Sequence, residues 1–157
     1  MILVACWLGA ALFFSVVVAP AAFGVLRSFA LANASEIAGA IVNRSLGVVN
    51  VSGFLIGLIA FFTGLLLRSS SSRGLWFVVQ SISLLILTIA TAVGHWVIAA
   101  RIHTLRTASQ LRIDQLAAND PTKIAFDSLH GYSVQALGLA MIAALVALFA
   151  IARSFKN

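Results

Sequence analysis

The chain has 157 residues, of which 62% are hydrophobic and only 9% charged, and its mean hydropathy is +1.10. A soluble domain of this length needs far more polar surface, so the composition excludes one and points to an all-α integral membrane protein folded as one compact bundle. The net charge of +6 does not imply nucleic acid, because the basic residues flank apolar segments and form no Lys/Arg-rich run; anionic lipid headgroups are the simpler partner.

A spanning helix needs about 20 mostly apolar residues, since the hydrocarbon layer is about 30 Å thick and each residue rises about 1.5 Å. The first such run extends from about Ile2 to Leu26. It contains "APA" at Ala19 to Ala21, which loosely resembles a signal cleavage site. No Lys or Arg precedes the run, and it is too long for a signal h-region, so a retained helix is expected. Pro20 frees a carbonyl one turn earlier and is expected to kink this helix. The connection "NASEIAGAIVNR" follows. Asn33 and Glu36 have capping-box spacing, which predicts a helix from about Ala34 that continues into the second span.

The second span runs from about Leu46 to Leu67 and the third from about Leu75 to Ala100, joined by the short polar "RSSSSRG". These two helices should be antiparallel neighbours. After the third span comes "RIHTLRTASQLRIDQLAANDPTK". Ile102, Leu105, Ile113 and Leu116 roughly share a helical face, which predicts an extramembrane helical extension between helices 3 and 4. Asp120 is the expected cap of the fourth span, with Pro121 at its first position. That span runs from about Ile124 to Ala152. All four runs are too long for strands and lack period-two alternation.

Small residues form stripes on three of these helices: Ala11, Ser15 and Ala19; Gly53, Gly57, Ala60 and Gly64; Ala136, Ala140 and Ala144. In lipid, close approach of backbones drives helix association. Packing within one monomer is the favoured use, and an oligomer through the same faces is the other. Cys6 is the lone cysteine, which excludes an internal disulfide and a cysteine-cluster metal site. Basic residues divide between both ends of the bundle and assign no orientation. The cell's inner membrane is the expected location.

Polarity concentrates at one mouth of the bundle. An up-down topology brings Arg27, Asn43, Arg44, Arg101, His103 and Asp127 near one membrane face, with Pro20, Asn50, His95 and His130 one to two turns deeper. Thr88, Thr91 and His95 share a helical face. Ionisable groups inside a membrane are costly and usually face the bundle interior or a water-filled cavity. The candidate ligand-binding residues are therefore His95, His130, Asp127, Asn50, Arg44, Arg101 and Pro20. Each also has a structural reading. Asp127 would pair with Arg44 or Arg101 and fix helix register. His130 would be a satisfied neutral imidazole, His95 beside Trp96 an interfacial residue, and Pro20 only a kink.

The segment "WLGAALFFSVVVAPAAFGVL", with Trp7, Gly9, Phe13, Pro20 and Phe23, resembles the opening of a family of small four-helix membrane proteins of unknown function. Its animal member is a transmembrane protein associated with cisplatin resistance. "AGAIVNRSLGVVN" with Gly39, "RIHTLR" with Arg101 and Arg106, and "FDSLHGYS" with Phe126, Leu129, His130 and Ser133 are similar to its later elements. A fainter similarity is to copper-resistance-D membrane domains and anthrone-oxygenase-like proteins. The resemblance implies four helices and a site at this mouth; it implies no reaction and no cofactor. Met1, Met141 and Cys6 are the chain's only sulfur side chains, too few for a Cu(I) pathway.

Three functions compete. The first is non-enzymatic binding or passage of a small solute or lipid, in the setting of stress resistance. The second is a haem- or metal-dependent redox protein in which His95 and His130 face one cavity. The third is an assembly module without a ligand. No phosphate loop, catalytic triad or metalloprotease motif occurs.

Overall fold

The computed structural model describes residues 1–31, 33–66, 74–109 and 113–154, and every regular element among them is helical. Four helices are long and apolar enough to cross a membrane: α1 (Ile2–Ser28), α2 (Ala34–Leu66), α3 (Leu75–Ala108) and α4 (Pro121–Ser154). Each packs on its neighbours in sequence, and α4 closes the ring against α1. The chain thus runs up-down-up-down, with Ile2, Leu66, Leu75 and Ser154 at one end. The serine-rich "RSSSSRG" connection, 68–74, lies outside the described residues except for Gly74.

The helix starts follow local chemistry. At α4, Asp120 Oδ1 accepts the Thr122 N–H at 2.7 Å, and Pro121 occupies the first position, where its missing N–H costs nothing. At α2, the Glu36 and Ile37 N–H groups donate to the Asn33 carbonyl, and the helix runs unbroken into the membrane segment. Helix α3 continues past the apolar run only to Ala108. That stretch is the helical extension expected after the third span; it carries Ile102 and Leu105, while Ile113 lies in a separate 3-10 turn, Ile113–Gln115.

Helices α1 and α3 each contain a π turn, Phe14–Val18 and Val93–Ala99. The first has an identifiable cause. Pro20 has no N–H for the Val16 carbonyl, and the turn before it widens so that the Ala19 N–H reaches the Phe14 carbonyl, five residues back. A widened turn therefore sits where a proline kink was expected. Pro20 itself is exposed on the outer surface.

Lipid is the solvent for the outer surface, so the usual distribution of residue size is inverted. Val16, Leu66, Val134 and Leu145 are 60% or more exposed, whereas small residues fill much of the interior. Val4, Trp7, Ala11 and Phe14 on α1 meet Leu84, Leu87 and Thr91 on α3 and Leu137, Ala140, Ala144 and Ala147 on α4. Their alternating spacing of three and four is the repeat of a left-handed bundle.

Helix α2 contributes notches. An ideal Cβ at Gly53 would lie 2.7 Å from the Trp7 ring and 2.8 Å from Thr91 Cγ2, and one at Gly57 would collide with Thr88 Oγ1. Farther along, Gly64 faces Gln80, Gly47 faces His95 and Gly39 faces Arg106. Polar side chains of α3 thus seat against glycines of α2 along the whole helix. Gly53, Gly57 and Gly64 of the stripe expected on α2 are occupied in this way inside the bundle.

Candidate functional site

The expected polar mouth holds a cavity of about 330 Å³, lined from all four helices and from the 3-10 turn. Phe23 comes from α1, Gly39, Val42, Asn43 and Leu46 from α2, Ile102 and Arg106 from α3, and Phe126, His130 and Ser133 from α4. Helices α2, α3 and α4 each present an inward face of residues three or four apart, and α1 adds Phe23. Buried Ile102 and Ser133 form the inner wall, while Glu36 and His130 are exposed at the rim.

Arg106 is held on two sides. Its guanidinium carbon lies 5.2 Å from the Phe126 ring centroid, a cation–π contact. Its Nη2 lies 2.7 Å from where a Gly39 Cβ would be, so the guanidinium rests on bare backbone. Among the described residues, no carboxylate pairs with it. Lys123 does have one: its Nζ lies 3.3 Å from Asp127 Oδ2, one helical turn away. Glu36 is already engaged with another residue.

Two tryptophans give a length scale along α3. Trp76 and Trp96 sit about 20 residues apart on α3, ~30 Å of helix, which is the thickness of a hydrocarbon layer. No Asp, Glu, Lys or Arg lies between them. Trp commonly marks headgroup level. Every cavity residue of α3 follows Trp96, and every cavity residue of α2 precedes Gly47, which faces His95 beside that tryptophan. The cavity therefore lies at the Trp96 end of the bundle, beyond the level of that residue.

The seven candidate residues fare differently. His130 lines the cavity. His95 lies deeper, its ring against Gly47 and edge-on to Trp96 at 5.0 Å, and its buried Nδ1 has no hydrogen-bond partner. His130 belongs to the lining of this cavity and His95 does not. Asn50 is buried at the α2–α3 contact, its amide against Gly94. Arg44, Arg101, Asp127 and Pro20 are exposed and outside the cavity lining. The expected partnership of Asp127 with Arg44 or Arg101 gives way to the local pair with Lys123. Thr88 and Thr91 turn their hydroxyls back to the Leu84 and Leu87 carbonyls at 2.8 Å and offer nothing toward His95.

The Asp127 pair yields a prediction opposite to that for a buried ion pair. Its side chain is 59% exposed, so Asp127→Ala should change stability by less than about 0.5 kcal/mol. Thermal unfolding in detergent measures this. A clear fall in melting temperature would mean that Asp127 has a buried partner.

Sequence reasoning missed Arg106, Asn43, Phe126, Gly39 and Ser133 as site residues. The available signal was helical spacing: Gly39, Val42/Asn43 and Leu46; Ile102 and Arg106; Phe126, His130 and Ser133.

The profile of a family described as Domain of unknown function (DUF4149) matches residues 2–110, which span α1, α2 and α3. Arg106 and Gly39 fall inside the match, and His130 falls outside it. No curated protein and no solved structure matches the chain.

Proposed function

We propose that this chain, which belongs to the family described as Domain of unknown function (DUF4149), is a non-enzymatic membrane protein that binds a small solute or lipid in the mouth of its bundle. The observation that carries the reading is the cavity itself: about 330 Å³, at the Trp96 end of the bundle, with apolar walls and a few convergent polar groups. Those are the attributes of a small-molecule site. Binding is favoured over passage because the seam beneath is filled by Val4, Trp7, Ala11, Leu87, Ala140 and Ala144, each no more than 3% exposed. Holding an intrusive amphiphile at the surface of the cell's inner membrane is how such a protein would serve stress resistance.

Filling the cavity tests this. Val42→Trp and Asn43→Trp each place an indole in the space from a half-buried position on α2. In neutral detergent, native mass spectrometry with added oleate, lysophosphatidate or monoolein should show one-to-one adducts on the unaltered protein. Both variants should lose them by about tenfold or more while keeping their melting temperature within a few degrees. Adducts that survive in both variants would overturn the reading.

A further inference from the structure

Resting on the reading of the mouth cavity as a ligand site, we infer that its ligand is an acyl amphiphile with an anionic head, a carboxylate or a phosphate, and that Arg106 is the residue that binds the head. Among the described residues, the cavity lining offers two cations, Arg106 and Lys123. Lys123 is tied to Asp127 at 3.3 Å. Glu36, the carboxylate described in the lining, has an interaction of its own, and no ion pair joins it to Arg106 among the described residues. Among the described residues, that leaves Arg106 without an anion, in a cavity where its charge is partly withdrawn from water.

The placement of Arg106 suits this task. Phe126 covers one side of its guanidinium at 5.2 Å, and the Gly39 backbone meets its tip. These contacts fix the orientation of a planar donor array that matches carboxylate and phosphate oxygens two at a time. They do so without consuming its charge. Asn43 and Ser133 add neutral polar groups from α2 and α4.

The tail follows from the rest of the wall. Phe23, Val42, Leu46, Ile102 and Phe126 are apolar, and the site lies just outside the Trp96 level. A head bound there has the hydrocarbon layer directly beneath it, so an acyl chain can enter the bilayer while the head stays in the cavity. Depth, charge and apolar wall thus converge on a molecule with both parts. A free anion would use only the first two, and a neutral lipid only the last.

The test varies the head while holding the tail constant. Tritiated oleate, oleoyl lysophosphatidate and monoolein are titrated onto the full chain in neutral detergent, with empty micelles subtracted and inorganic phosphate as competitor. The two anionic ligands should bind at least about tenfold tighter than monoolein, the range of a charge-assisted hydrogen-bond pair. Arg106→Gln should remove that preference while leaving monoolein unchanged, and Arg106→Lys should retain part of it. Equal affinity for all three ligands would overturn this inference and leave the cavity reading standing. No binding of any of the three would overturn both. Inorganic phosphate binding as tightly as lysophosphatidate would overturn the assignment of the tail. Should Arg106→Gln fail to fold, the head series on the unaltered protein decides the charge of the ligand, and Arg106→Lys decides the residue: an unchanged preference there would overturn the assignment to Arg106.

Discussion

Replacing Trp7 with alanine should destabilise the bundle by about 3 kcal/mol or more. Trp7 is 3% exposed and fills the space where α1, α2 and α3 meet, with its ring over Gly53. Its indole Nε1 donates to the Val49 carbonyl at 2.9 Å, linking α1 to α2. In lipid the loss does not come from exposing apolar surface to water, because the unfolded helices are already solvated by hydrocarbon. It comes from lost dispersion contacts around a void and from the lost interhelical hydrogen bond. Trp7→Phe separates the two: it keeps most of the ring and loses the N–H, so it should cost only about 1 kcal/mol. Thermal or chemical unfolding in a single detergent measures both. Equal midpoints for Trp7→Ala and the parent protein would mean that Trp7 faces lipid.

Gly53→Val should cost about 2–3 kcal/mol by the opposite mechanism, overpacking. An ideal Cβ there lies 2.7 Å from the Trp7 ring and 2.8 Å from Thr91 Cγ2. Neither neighbour yields easily. Trp7 is held by its hydrogen bond, and Thr91 is 1% exposed with its hydroxyl bonded back to the Leu87 carbonyl. The helices must separate instead. Gly9→Ala is the control, since a Cβ at Gly9 meets nothing within 4 Å and helix propensity alone should make it neutral or slightly stabilising. Trp7→Leu combined with Gly53→Val should cost clearly less than the two changes summed, because the smaller side chain leaves room for the larger one. Strict additivity would place Trp7 and Gly53 apart.

Much of the architecture was legible because membrane physics is one-dimensional along the chain. Hydrocarbon thickness requires apolar runs of a fixed length, and the four runs stand out without any knowledge of packing. The α4 start was legible because Asp120 and Pro121 act on adjacent backbone. The stripe of glycines on α2 signalled close approach. What fills it, Trp7, Thr88, Thr91 and Gln80, depends on the azimuth of α1 and α3, which no local pattern specifies.

The site residues show where this reasoning stops. A cavity lies at the end of the bundle where the sequence concentrates polarity. The sequence reading then selected ionisable groups near that end: Arg44, Arg101 and Asp127. The cavity instead uses Asn43, Ile102 and Phe126, each one residue away. One residue is about 100° of rotation on a helix, enough to turn a side chain from the interior to the surface. Charge reports depth along the bundle axis but carries no information about rotation around it.

The π turns compound this. Between Val93 and Ala99 the wider turn changes the phase of α3, and the inward residues continue as Ile98, Ile102 and Arg106. Extrapolating an ideal helix through that turn misjudges which residues beyond it face His130. The sequence by itself determined the number of spans, their lengths, the polar end and the capped start of α4, because each depends on local chemistry or on the thickness of the solvent. Only the tertiary structure decided that Arg106 enters the cavity, that Asp127 stays outside the lining to which its partner Lys123 belongs, and that His130 joins the lining while His95 packs against Gly47. Those outcomes depend on the rotation of each helix about its own axis, which is set by how glycines, threonines and one tryptophan interlock across the bundle.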